Sequence, residues 1–241
     1  MKGRHVSMIT TIGFDADDTL WQNERFFRLS QERFAELLAD HAAAEHLNER
    51  LIAAERKNIA HYGFGIKGFT LSMIETALDV TDNRVPTSVI AALVALGKDM
   101  LAHPIELLPH AGDVVEKLAT SHKLVLITKG DLLHQEQKLA RSGLGPLFDA
   151  VEIVSEKYQT TYDAIFTRHG TGPAEALMVG NSLKSDVIPA LEAGAWGVHV
   201  PHELEWSFEH ALAPTDHPRF RAIPDLSELP AIVEANGQRP K

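Results

Sequence analysis

Three short apolar runs, Ile9 through Phe14, Leu124-Val125-Leu126-Ile127 and Ala176-Leu177-Met178-Val179, are each of strand length, and each runs straight into polar residues. Apolar runs of that length bounded by turn residues suit strands buried on both faces of a sheet. Alternating with helical patterns, such strands build a parallel sheet whose functional groups gather at the carboxyl ends of its strands. The residues after each run are therefore the place to look for chemistry. The first run leads into Asp15-Ala16-Asp17-Asp18-Thr19-Leu20, the second into Thr128-Lys129-Gly130-Asp131, and the third into Gly180-Asn181-Ser182-Leu183-Lys184-Ser185-Asp186. Between the last two lies Val151-Glu152-Ile153-Val154-Ser155-Glu156-Lys157. Carboxylates crowded on one turn repel one another, and folding alone gives no reason for them. A divalent cation does, because Mg²⁺ takes hard oxygen ligands and leaves positions open for phosphate and water. A plain capped turn is the alternative reading of the same residues.

Four strand ends that carry Asp/Asp, Thr, Lys and Asn/Asp in this order resemble the haloacid dehalogenase (HAD) superfamily of phosphotransferases, over Ile9 to about Val200. The resemblance implies an α/β fold with a doubly wound, mainly parallel, Rossmann-like sheet, and an all-helical cap inserted after the first strand. The chain leaves room for the insert, because residues 21–108 are too many for a single crossover. The expected division is a catalytic core of residues 1–20 and 109–241 and a helical cap of residues 21–108. Within the insert, Phe27, Phe34 and Leu38 share one helical face, as do Leu47, Leu51 and Ala54, then Leu71, Ile74 and Leu78, then Ile90, Leu93 and Met100. Pro86 before Thr87 and Ser88 marks the start of the last of these helices. Beyond the insert, helices are expected near 114–119, 135–140, 162–167, 186–192 and 228–234, with further strands at 197–200 and 220–223. Residues 201–218 read as a loop with a short helix, and 236–241 as disordered.

The resemblance also implies roles. Asp15, first in its motif, is the expected nucleophile, attacking phosphorus and forming an aspartyl-phosphate. Asp17 is the expected general acid and base, and its backbone carbonyl a metal ligand. Thr128 offers a hydroxyl and an amide to a phosphoryl oxygen, and Lys157 is the expected counter-charge. Lys129 and Lys184 compete for that role but read as facing solvent. Many HAD proteins place the lysine several residues later, followed by proline; here it is followed by Tyr158. The expected metal set is Asp15, Asp17, Asn181 and Asp186. Where many relatives have Gly-Asp this chain has Gly180-Asn181, an oxygen ligand without charge, so Asp186 gains weight, either as a ligand or as a partner holding Lys157. Asp18 and Thr19 read as turn and cap residues, and Ser182 as a helix cap. Trp21 and the stretch Tyr62-Gly63-Phe64-Gly65-Ile66-Lys67-Gly68 could face the site, though a plain interhelical loop explains the latter equally.

Composition narrows the classes. The formal charge of −10 opposes non-specific nucleic-acid binding, and there is no apolar stretch of membrane-spanning length. The basic start, Met1 to His5, has no small-residue cleavage pattern behind it, and the chain has no cysteine, so a cytoplasmic protein is expected. The 13 histidines show no ligand spacing. The expectation is a Mg²⁺-dependent phosphomonoester hydrolase acting on a small phosphorylated metabolite as monomer or homodimer, without nucleic-acid or membrane partners. A phosphomutase, a haloacid dehalogenase, a receiver-like signalling module and a non-catalytic phosphoryl-binding protein are the alternatives. Dehalogenases proper carry an aromatic residue at the place of Asp17.

Overall fold

A computed structural model describes residues 8–204, 206 and 208–237. Six parallel strands, β1 (Thr11–Phe14), β2 (Lys123–Lys129), β3 (Ala150–Val154), β4 (Ala176–Gly180), β5 (Trp196–His199) and β6 (Phe220–Ala222), form one sheet in the order β3-β2-β1-β4-β5-β6. The expected α/β class with a parallel, doubly wound sheet is what the chain adopts. β1 sits between β2 and β4, with Phe14 beside both Leu126 and Val179. Gly13 leaves room for the packing on its face of the sheet: a Cβ there would lie 2.9 Å from both Ile127 Cδ1 and Met178 Sδ, so both side chains would have to shift. The chain leaves β1 toward β2 on one side and reaches β4 on the other, and this reversal opens a crevice at the carboxyl ends of these strands.

Alternate strand residues feed two apolar layers, the period-two consequence of the pleat. Ile12, Phe14, Leu124, Leu126, Leu177 and Val179 pack with Val114, Val115 and Leu118 of α5 (Ala111–Ala119) and with Leu229 and Val233 of α9 (Leu229–Gly237). Val125, Ile127 and Met178 pack on the other side with Tyr162, Ile165 and Phe166 of α7 (Gln159–His169) and Ala190 of α8 (Ile188–Glu192). Each fully buried Leu, Val or Phe contributes about 1.5–3 kcal/mol. The helix expected at 186–192 is present as α8, and a single π-helical turn, Leu183–Val187, precedes it and takes in residues 186 and 187.

The chain divides into two compact units: Met1–Gln22, Ile105–Lys129 and Lys138–Lys241 form the one with the sheet, and Asn23–Pro104 with Gly130–Gln137 the other. The helix α6 (Leu132–Ser142) is shared between them. The second unit contains α1 (Glu24–Leu37), α2 (Ala44–Tyr62), α3 (Ile66–Val80) and α4 (Thr87–Ala102), whose core includes Phe34, Leu38, Leu47, Leu51, Phe69, Met73, Leu93 and Met100. α3 departs from its expected face. Leu71 is exposed, whereas Ser72 and Thr76 are buried. Their hydroxyls donate to the carbonyls of Gly68 at 2.9 Å and Ser72 at 2.8 Å, so polar residues occupy the inner face with their bonds satisfied on their own helix.

Two further expectations differ from the structure. The described residues of 201–218 hold turns and bends but no helix, and α9 continues to Gly237. The remainder of the 236–241 segment and the basic start Met1 to His5 lie outside the described residues. Among the described residues no helix is long and apolar enough to cross a membrane.

Candidate active site

β1 ends where its last bonds to β4 run out. The amide of Asp15 still donates to the Val179 carbonyl at 2.9 Å, and beyond it the chain closes a tight turn, with Leu20 N donating to Ala16 O and Asp18 N to Trp21 O, both at 2.8 Å. Asp18 takes the left-handed conformation this turn needs, at φ 60°. The Asp15 carboxylate is therefore held by backbone on both sides and is buried. Its Oδ1 accepts from Lys157 Nζ at 2.5 Å and its Oδ2 from Thr19 Oγ1 at 3.1 Å.

Lys157 arrives from the loop between β3 and α7 and also donates to Asp186 Oδ1 at 2.7 Å. Asp186 is set by the loop after β4, where the Ser182 amide donates to its Oδ2 at 3.0 Å and the Ser182 side chain caps the π-helical turn by accepting from Ser185 N at 2.9 Å. A side chain at residue 180 would collide with the Asp186 carboxylate, so Gly180 is what lets this acid fold back against β4. Residues from three strand ends, 142 and 29 positions apart, thus meet around one ammonium.

One positive charge faces two carboxylates. Burial raises the Asp15 carboxyl and the Asp186 charge raises it further, and Lys157 offsets these only in part, which leaves it at about 7. Burial disfavours the Lys157 ammonium, but the charges and hydrogen bonds of Asp15 and Asp186 outweigh that and hold it above the ordinary lysine range. The buried group carries excess negative charge, the condition in which a cation is most strongly attracted.

The residues present fit such a cation. The Asn181 amide faces Asp17 O and Thr19 Oγ1, each at 3.2 Å, and Asp15 Oδ2 at 3.3 Å; all three can accept, so hydrogen bonding turns its nitrogen toward them. A carboxylate oxygen and a backbone carbonyl therefore converge on one point, where the amide can present its oxygen instead. Among the described residues no group of three or more His, Cys, Asp or Glu side chains is arranged to hold a metal, so the carbonyl of Asp17 and the amide of Asn181 would have to complete the set. Both oxygens of Asp186 are already engaged, one by Lys157 and one by Ser182 N.

Other candidate residues sit as follows. Thr128 is buried near the end of β2, two positions beyond Leu126 on the same face, with its hydroxyl donating to the Lys129 carbonyl at 3.3 Å. The side chain of Asp17 accepts from Lys138 and from Trp21 Nε1. Trp21 reaches the site from within the core: it is fully buried, and its Nε1 donates to Asp17 Oδ1 at 2.7 Å. Thr19 does more than cap a turn, since it bonds Asp15. Lys129 is not a solvent-facing residue: its Nζ lies 2.9 Å from Ser185 Oγ and 2.7 Å from Glu209 Oε1, and Glu209 also accepts from Ser182 at 2.5 Å and from Ser185. Burial opposes the Glu209 charge, but Lys129 and the serine hydroxyls outweigh it and hold the carboxyl below its usual range. Lys184 is exposed, donating to the Phe208 carbonyl at 2.8 Å. In the helical unit, Lys67 pairs with Asp131 at 2.8 Å.

Sequence reasoning missed Lys138 and Glu209. A lysine on the inner stripe of an amphipathic helix, three positions after Gln135, was the available sign of the first. For Glu209, inside a Pro- and His-rich segment, there was none.

Comparison with known proteins agrees with this architecture. A family model described as haloacid dehalogenase-like hydrolase matches residues 9–194. The solved structure of a haloacid dehalogenase-like family hydrolase from Xanthomonas campestris is 40% identical, covers 97% of this chain and 94% of its own, and superposes with a TM-score of 0.86. A protein named glyceraldehyde 3-phosphate phosphatase from Methanothermobacter thermautotrophicus is 26% identical over 94% of this chain and 100% of its own length. One of the same name from Methanocaldococcus jannaschii is 29% identical over 80% of this chain and 85% of its own. The chain belongs to the haloacid dehalogenase-like hydrolase family.

Proposed function

We propose that the chain is a Mg²⁺-dependent phosphatase that hydrolyses a small phosphorylated metabolite through an aspartyl-phosphate at Asp15. The observation that carries this reading is the buried Asp15 carboxylate at the carboxyl end of β1, gripped on one oxygen by Lys157 and on the other by Thr19, with a second carboxylate, Asp17, two residues on and bonded to a different lysine, Lys138. Two acids with separate partners can divide the work of nucleophile and proton carrier.

In this mechanism an Asp15 oxygen attacks phosphorus, the bond to the leaving oxygen breaks, and Asp17 supplies the proton that oxygen takes up. Water then attacks the phosphorus of the acyl-phosphate, the bond to Asp15 breaks, and Asp17 recovers a proton from that water. Lys157 and the hydroxyl and amide of Thr128 stabilise the phosphoryl oxygens. Asp15, the Asp17 carbonyl and Asn181 would hold Mg²⁺, with Asp186 as a direct or water-mediated ligand; when bound, the cation neutralises phosphoryl charge and offsets the excess negative charge around Lys157. The carboxylate at position 17 favours phosphoryl chemistry over carbon–halogen displacement. The names of the two archaeal relatives support a phosphorylated metabolite of triose size as substrate.

The test is hydrolysis of p-nitrophenyl phosphate with added Mg²⁺, followed by a screen of phosphorylated metabolites that includes glyceraldehyde 3-phosphate. Turnover that falls at least about a thousandfold in Asp15→Asn is expected, since removing a nucleophile removes the covalent route. Turnover that survives in Asp15→Asn contradicts the reading.

A further inference from the structure

The carboxylate of Asp17 is gripped from two directions. Lys138 Nζ lies 2.5 Å from its Oδ1 and 2.7 Å from its Oδ2, and Trp21 Nε1 donates to Oδ1 at 2.7 Å. The two arms come from different places. Trp21 closes the same turn that carries Asp17, and its backbone bridges Asp17 on one side and Leu107 on the other. Lys138 lies 121 positions away on α6.

The exposures in this group are inverted relative to an ordinary salt bridge. Side-chain exposure is 24% for Asp17, 9% for Asp15 and 1% for Asp186, so Asp17 is the acid open toward solvent. The Lys138 side chain is only 7% exposed and Trp21 is fully buried. A carboxylate open to water does not need a buried ammonium for its own solvation, whereas burying a lysine is costly. The arrangement makes sense if what matters is where the carboxylate points. With Trp21 anchoring Oδ1 and Lys138 spanning both oxygens, the carboxylate is held in one orientation.

We propose that Lys138 and Trp21 are positioning residues that aim the Asp17 carboxylate at the leaving oxygen. The inference rests on the reading of Asp17 as the proton donor. A substrate oxygen entering the site takes the place of one Lys138 contact at Oδ2, and the Trp21 bond keeps the carboxylate in register. Both residues act through Asp17 and not on the substrate.

A general acid matters in proportion to the basicity of the leaving group, and that dependence separates aiming from mere structural support. The experiment compares kcat/KM for p-nitrophenyl, phenyl and p-methylphenyl phosphate in the wild type, Lys138→Met, Lys138→Arg, Trp21→Phe and Asp15→Asn. Because kcat/KM covers steps only through departure of the leaving group, the later role of Asp17 toward water does not enter. Lys138→Met is expected to lose at least about tenfold more on phenyl and p-methylphenyl phosphate than on p-nitrophenyl phosphate. Trp21→Phe is expected to show the same contrast more weakly, and Lys138→Arg to restore most of the loss. Equal losses on all three esters overturn the inference, and Trp21→Phe decides the matter in the same way if Lys138→Met does not fold. Asp15→Asn keeps the two questions apart: a flat Lys138→Met profile beside an inactive Asp15→Asn removes only this inference, whereas an active Asp15→Asn removes the parent reading.

Discussion

At the scale of single residues, the site is a matter of which charges have company. Lys157 is bonded to both Asp15 and Asp186, and all three side chains are buried. Replacing it with Met leaves two carboxylates facing each other in a medium that solvates them poorly. Breaking a buried pair from one side costs about 3–5 kcal/mol. Lys157→Met is therefore expected to lower stability at pH 7 by that order in a denaturant titration and to abolish measurable turnover. A variant of wild-type stability would contradict the assigned role. Lys157 was legible because a phosphoryl group needs a counter-charge and a strand-like run is followed, three residues after Val154, by a lysine. Lys138 and Glu209 were not, because what makes them matter is a partner 121 positions away for one and 80 for the other, and distance in space is not written in local pattern.

At the scale of elements, short strands were the most legible part and inner helix faces the least. β2 and β4 follow directly from runs of Leu, Val, Ile, Ala and Met, since such runs suit only a strand covered on both sides. α3 misleads because Ser72 and Thr76 point inward with their hydroxyls bonded to their own helix, and apolar periodicity does not register a polar residue that is satisfied locally. α2 carries a related feature with a measurable consequence. Glu55 is buried beside Leu51 on its inner stripe, with Oε2 lacking a hydrogen-bond partner among the described residues, and burial raises its carboxyl from 4.5 to about 7. The folded chain thus holds a proton there that the unfolded chain releases near 4.5. Stability from this group is full below that pH and is lost as pH rises toward about 7, by an amount on the order of 3 kcal/mol. Glu55→Gln, which cannot ionise, is expected to flatten that slope between about pH 4.5 and 7, read as the denaturation midpoint of both proteins across the range. An unchanged slope would show that Glu55 is not its source.

At the scale of the whole molecule, the chain is a parallel sheet that gathers its chemistry at one end, and that organisation was legible before any coordinates because each strand announces itself and then delivers a polar group. What pattern could not supply is how the gathered groups pair: that Asp17 pairs with Lys138, that Thr19 serves Asp15, and that Trp21 is buried as a donor. For Thr19 and Trp21 the outcome is decided by burial, since a polar atom taken from water must find a partner wherever the fold offers one. The central claim is that Asp15 becomes covalently phosphorylated. Its most direct test is to quench the enzyme during turnover of p-nitrophenyl phosphate with Mg²⁺, reduce with borohydride, and sequence the peptides by mass spectrometry. An acyl-phosphate at position 15 is expected to appear as homoserine there and nowhere else; homoserine at Asp17 or Asp186, or at no position despite active turnover, would contradict the account.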